Sequence, residues 1–134
     1  MKAWKVARVG RSGGFRSTQA SDTMEVRYPL GHWAEPWIVG SPLFAFYNSQ
    51  DAKKFAIGCS EETVEYVVLE CEAELFEDWQ PDRTRIPSLG VWGPANCAQY
   101  WSAQVEERFL LGSWPVPLGT VLCTKLKPLR KVLL

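Results

Sequence analysis

The run VEYVVLECEAEL, Val64 to Leu75, constrains the fold more than any other part of the chain. Strand side chains point to opposite faces in turn, so Val67, Leu69, Cys71, Ala73 and Leu75 make an unbroken apolar face while Glu70, Glu72 and Glu74 line the other. The stretch therefore reads as an extended strand with one sealed face and, at least in its second half, one wet face. The remaining elements must cover its apolar side.

They are short and separated by turn residues. Lys2 to Val9 reads as a first strand ending at Gly10, and the piece FRST follows the Gly13-Gly14 turn. A strand MEVRY, Met24 to Tyr28, puts Met24, Val26 and Tyr28 on one face and Glu25 and Arg27 on the other. Pro29 to Pro42 contains three prolines and is a structured loop. LFAFY, Leu43 to Tyr47, is a buried strand that feeds a helix capped by Asn48 or Ser49, with Ala52, Phe55 and Ala56 on its apolar stripe and Gly58 at its end. After an irregular stretch from Glu77 to Gly93, a second helix is expected from Pro94 through Arg108, burying Ala98, Trp101 and Val105. A last strand runs from Thr120 to Lys127, and Pro128 either ends it or places it at an edge. The fold class expected from this order is α+β: a mostly antiparallel sheet of about five strands with two helices packed on one face, all within a single domain, residues 1–134.

Equal numbers of basic and acidic residues, 15 each, supply no long-range attraction to nucleic acid or to an anionic membrane, so neither is expected as a partner, although a local patch is not excluded. Neutrality also favours self-association, which points weakly to a homodimer. No apolar run approaches the roughly 20 residues of a membrane span, and the start of the chain has no apolar leader, so a cytoplasmic location is expected. Cys59, Cys71, Cys97 and Cys123 are dispersed without a C-x-x-C pair, which suits buried thiols better than a metal site. No metal is expected. No glycine-rich phosphate loop occurs either, and no cofactor is expected.

Four groups of residues can carry chemistry. Glu70, Glu72 and Glu74, about 6.6 Å apart in turn, can hold a cation or shift one another's pKa, or can pair with Lys125 and Lys127 across the sheet. His32, beside Trp33 and Glu35, is either a general acid or base or a solvent-facing loop residue. Tyr28, Trp33 and Trp37, with Arg27 nearby, form either a stacking platform for a ligand or the loop's own small core; seven tryptophans in this chain fit both. Lys125, Lys127, Arg130 and Lys131 can touch phosphate or pair with the glutamates.

The blocks YPLGHWAEP, GSPLFAFYNSQDAKKFA, EYVVLECEAE and GTVLCTKLKPLRKV resemble a layout in small uncharacterised proteins of bacteria and their phages: a Tyr-x-x-Gly turn, an FAF strand, a D-A-x-x-F helix and a strand of alternating glutamates. The resemblance implies a fold and no catalysis. A fainter pattern is similar to ADP-ribosyltransferases, with Arg8, Ser17-Thr18 and Glu70-Cys71-Glu72 in that family's order, although Gln19 stands where its last serine would be. The leading expectation is a non-enzymatic binding or accessory protein that grips an unidentified protein or small molecule through Tyr28, Trp33, Trp37 and Arg27. The alternative is an NAD-using enzyme of the ADP-ribosyltransferase type centred on Glu70 and Glu72.

Overall fold

The computed structural model describes residues 1–10, 13–17, 26–36, 42–58, 64–76, 85–87, 113–115 and 119–132. Its elements are β1 (Lys2–Val9), β2 (Phe15–Ser17), β3 (Leu43–Phe46), α1 (Ser49–Gly58), β4 (Tyr66–Leu75), β5 (Arg85–Pro87), β6 (Ser113–Pro115) and β7 (Thr120–Val132). The main sheet has the order β2-β1-β3-β7-β4, and β1 also pairs with β4. Strands β1, β4, β7 and β3 therefore close into a ring, with β2 alongside and every pairing antiparallel. Strands β5 and β6 pair separately.

This corrects the expected α+β arrangement of an open sheet carrying two helices on one face. The fold is mostly β, and α1 is the one helix among the described residues. The second expected helix, Pro94 to Arg108, lies outside them. The physical reason is closure: a sheet that curls around its own apolar face needs no helical layer to cover it. Many of the enclosed side chains are small, Ala3 and Ala7 from β1, Ala45 from β3, Cys71 and Ala73 from β4, and Val121 and Cys123 from β7, and they leave room for Leu43, Leu69, Leu126 and Tyr28 in the same core.

Strand β7 makes closure possible by pairing twice, with β3 through Thr120–Cys123 and with β4 from Cys123 to Val132. Pro128 neither ends the strand nor lies at its edge, as its missing N–H led us to expect. It faces Cys71 while Arg130 faces Glu70, so Leu129 is left over as a bulge and the imino acid sits fully buried. A second register shift, at Glu74/Leu75, ends the alternation of β4, and Leu75, expected in the sealed face, is exposed. Val67, Leu69, Cys71 and Ala73 are buried as their parity requires.

Helix α1 lies against the outside of the barrel, where Ala52 and Ala56 pack with Val6, Val68 and Phe46, and the Phe55 ring stands 5.3 Å from that of Phe46. Its start is closed reciprocally: Asn48 Oδ1 accepts the Asp51 N–H at 2.8 Å, and Asn48 Nδ2 donates to Asp51 Oδ2 at 2.8 Å. The Asp51 carboxylate rests against the backbone of Gly119, whose φ is +83° and whose C=O accepts the Tyr47 N–H. A Cβ at Gly119 would collide with that carboxylate. Gly119→Ala combines this collision with a left-handed backbone, and urea unfolding of the variant should show a loss of about 2 kcal/mol.

Candidate binding face and the enclosed lysine

Residues Val26 to Pro36 link the two sides of the barrel. Next to β2 they act as a further strand: Ser17 N–H donates to Val26 C=O and Tyr28 N–H to Phe15 C=O, both at 3.0 Å. Further along, Gly31 N–H donates to Pro128 C=O at 2.7 Å, and Ala34 and Leu126 exchange two backbone bonds of 2.6 and 3.0 Å. His32 N–H closes a turn onto Pro29 C=O, with Gly31 at φ +81°. The first part of the loop expected from its prolines is thus pinned at Gly31 and Ala34, and residues 37–41 lie outside the described residues.

The pinning separates the aromatic cluster. Tyr28 is buried in the barrel core, Arg27 projects from the opposite face, and Trp33 stands 45% exposed beside β7 with Lys125 Nζ 4.6 Å from its ring centre. Trp37 lies outside the described residues. His32 and Glu35 are exposed. Leu30 and Leu129, on either side of the Gly31–Pro128 bond, are exposed as well.

The glutamate row faces basic partners across β4 and β7, Glu70 opposite Arg130, Glu72 opposite Lys127 and Glu74 opposite Lys125. Arg130 donates through Nε to Glu70 Oε2 at 2.9 Å and through a terminal nitrogen to Oε1 at 3.4 Å, and Lys2 approaches Glu70 at 3.7 Å. The Arg130 hydrogen bonds hold the Glu70 carboxyl below its ordinary value. Lys125 pairs with Glu74 at 3.6 Å, and Lys131 pairs with Glu65 at 3.7 Å. Arg8 does meet Ser17, donating through Nε to its C=O at 2.9 Å. It pairs with Tyr66, however, while Glu70 pairs with Trp4, a separation of four strand residues or about 13 Å. The members of the ADP-ribosyltransferase-like pattern thus fall at different levels of the barrel.

Sequence reasoning missed Lys5, although its parity with Ala3 and Ala7 was there to be read. The side chain enters the barrel, where Nζ donates to Phe44 C=O at 2.7 Å and lies 5.3 Å from the Tyr28 ring centre. It fills the seam where β1 and β3 share a single paired position, Trp4 with Phe46. Burial lowers its pKa to about 8 and pushes the buried Cys71 and Cys123 thiols up to about 12, so both cysteines remain protonated near neutrality and are not thiolate nucleophiles. Burial likewise holds the Tyr28 phenol above its ordinary value. Among the described residues no three His, Cys, Asp or Glu side chains converge on a metal position, and no helix is long and apolar enough to cross a membrane.

Comparison with protein-family models, curated proteins and solved structures finds no match.

The interior groups set a pH profile. Between pH 8 and 10.5 the unfolded state holds the Lys5 proton and the folded state does not, so stability rises with pH; from pH 9 to 12 the folded state keeps two thiol protons that the unfolded state loses, so stability falls. Guanidinium unfolding should therefore show a maximum near pH 9, about half a kcal/mol above the value near pH 7.5. Lys5→Met should abolish the rise and keep the fall.

Proposed function

We propose that this chain is a non-catalytic binding protein that grips a partner protein through the face around Trp33. The observation that carries the reading is the Trp33 indole, 45% exposed on backbone fastened to β7 by the Ala34–Leu126 bond pair. A rigidly presented tryptophan brings large contact area at small cost in conformational entropy, and such residues dominate protein interfaces. Leu30 and Leu129 extend the apolar area, and Lys125 and Glu74 supply a charged rim. The glutamates, the other chemical resource of the surface, are engaged with cations across the sheet, which supports binding over acid-base catalysis.

Partners recovered on the immobilised protein should bind Trp33→Ala at least about 30-fold more weakly, with circular dichroism unchanged. Retention of every partner by a folded Trp33→Ala would overturn the reading. Sedimentation velocity of the same pair reports whether the occupant is a second copy of the chain.

A further inference from the structure

One cation of the β4–β7 ladder is left over. Glu70 takes both Arg130 and Lys2, Glu74 takes Lys125, and Glu65 takes Lys131. Glu72, across the ladder from Lys127, turns instead to the Met1 amino group at 3.7 Å. Lys127 is therefore the one basic side chain of β7 without an ion pair among the described residues.

Its position ties this charge to the Trp33 face. Ala34 and Leu126 exchange both backbone bonds in antiparallel register, and both are buried. One step along the pairing, Trp33 and Lys127 thus come side by side on the outer face. Past Lys127 the strand continues through Pro128, whose C=O holds Gly31, to the exposed Leu129, and Leu30 is exposed next to Gly31. The ammonium accordingly rises between the apolar positions Trp33 and Leu129. Lys125, on the other side of Trp33, is already engaged by Glu74 and by the indole. The exposed Glu35 falls at that Lys125 end of the face, two residues past Trp33 and away from Leu129.

A partner that covers Trp33, Leu30 and Leu129 also takes Lys127 out of water. Burying an ammonium without a counter-charge opposes association, whereas a carboxylate delivered to it makes the same position a source of specificity. We propose that the partner docks here through an acidic segment in which an aspartate or glutamate stands between apolar residues: the carboxylate meets Lys127 while its neighbours cover Trp33 and Leu129. The inference rests on the Trp33 face being a protein-binding face and specifies the chemistry of its occupant. One acid at one point is what the face selects, because the flanking Lys125 and Arg130 already have carboxylates.

Short random peptides displayed on phage and panned on the immobilised full chain supply the probe. Enriched peptides should carry Asp or Glu beside Leu, Phe, Tyr or Trp. A selected peptide made synthetically should bind about 10-fold more weakly when its acid is replaced by the amide, and Lys127→Met should weaken the acidic peptide about as much. Both changes together should cost little more than either alone. Panning on Lys127→Glu should enrich Lys or Arg in place of the acid; Lys127→Met, which keeps the apolar stem, serves if circular dichroism shows that Lys127→Glu is unfolded. Lys54→Met, at an exposed position on α1, should bind as wild type. Enriched peptides without an acid, or an amide effect of equal size on wild type and Lys127→Met, would overturn the proposal; the Trp33 face itself survives that result if Trp33→Ala still loses the peptides. Peptides held equally by wild type and Trp33→Ala would remove the face and the proposal together. Enrichment of no peptide would overturn the acidic segment alone, since partners recovered as folded proteins test the face separately.

Discussion

The narrow interior of a sheet closed by four strands is the constraint on which the rest of the structure depends. Barrel width grows with strand number, and four strands leave little room between opposing walls. Alanine at positions 3, 7, 45 and 73 and thiols at 71 and 123 answer that requirement. Among the described residues, Lys5 is the one buried charged side chain. Its long stem lies in the packed space, and its amine reaches a backbone carbonyl beside the seam where β1 and β3 share a single paired position. Its lowered basicity follows from the same lack of space and water that selects the small neighbours.

The outer surface shows how a neutral chain can carry strongly local charge. Along β4 and β7, acids face bases across the ladder, with Glu70–Arg130 and Glu74–Lys125 as ion pairs; exposed pairs of this sort add little stability but discriminate strongly between registers. Sliding β7 by one residue would point Arg130 into the barrel and Leu126 outward. The bulges at Leu129 and Thr124 fix the same alignment through the backbone.

Much of this was legible in local pattern. The alternation from Val67 to Ala73 identified β4 and its wet face, Asn48 announced the helix start, and Lys125 was correctly set across from the glutamates. What remained hidden were facts about neighbours. Alternation says which face a side chain takes and nothing about which strand lies beside it, so the meeting of β1 with both β4 and β3 could not be read from spacing. Tyr28 and Arg27 were grouped because they are adjacent in the chain, yet adjacency in an extended segment guarantees opposite faces. Pro128 misled for a related reason: the rule against proline in a ladder holds for regular pairing and is relaxed by a bulge.

Ring closure also bears on how the chain reaches this state. Lys2 must find Glu72 and Leu43 must find Cys123, so nearly all the stabilising pairings come after large loops have been closed. Folding of such a topology is slow for its size, and until β7 arrives the Val67–Val68–Leu69 segment of β4 is a sticky, unpaired edge. The glutamates at 70, 72 and 74 sit directly behind it. In the half-folded chain, before their basic partners are in place, they act as gatekeepers that keep one molecule's β4 from pairing with another's.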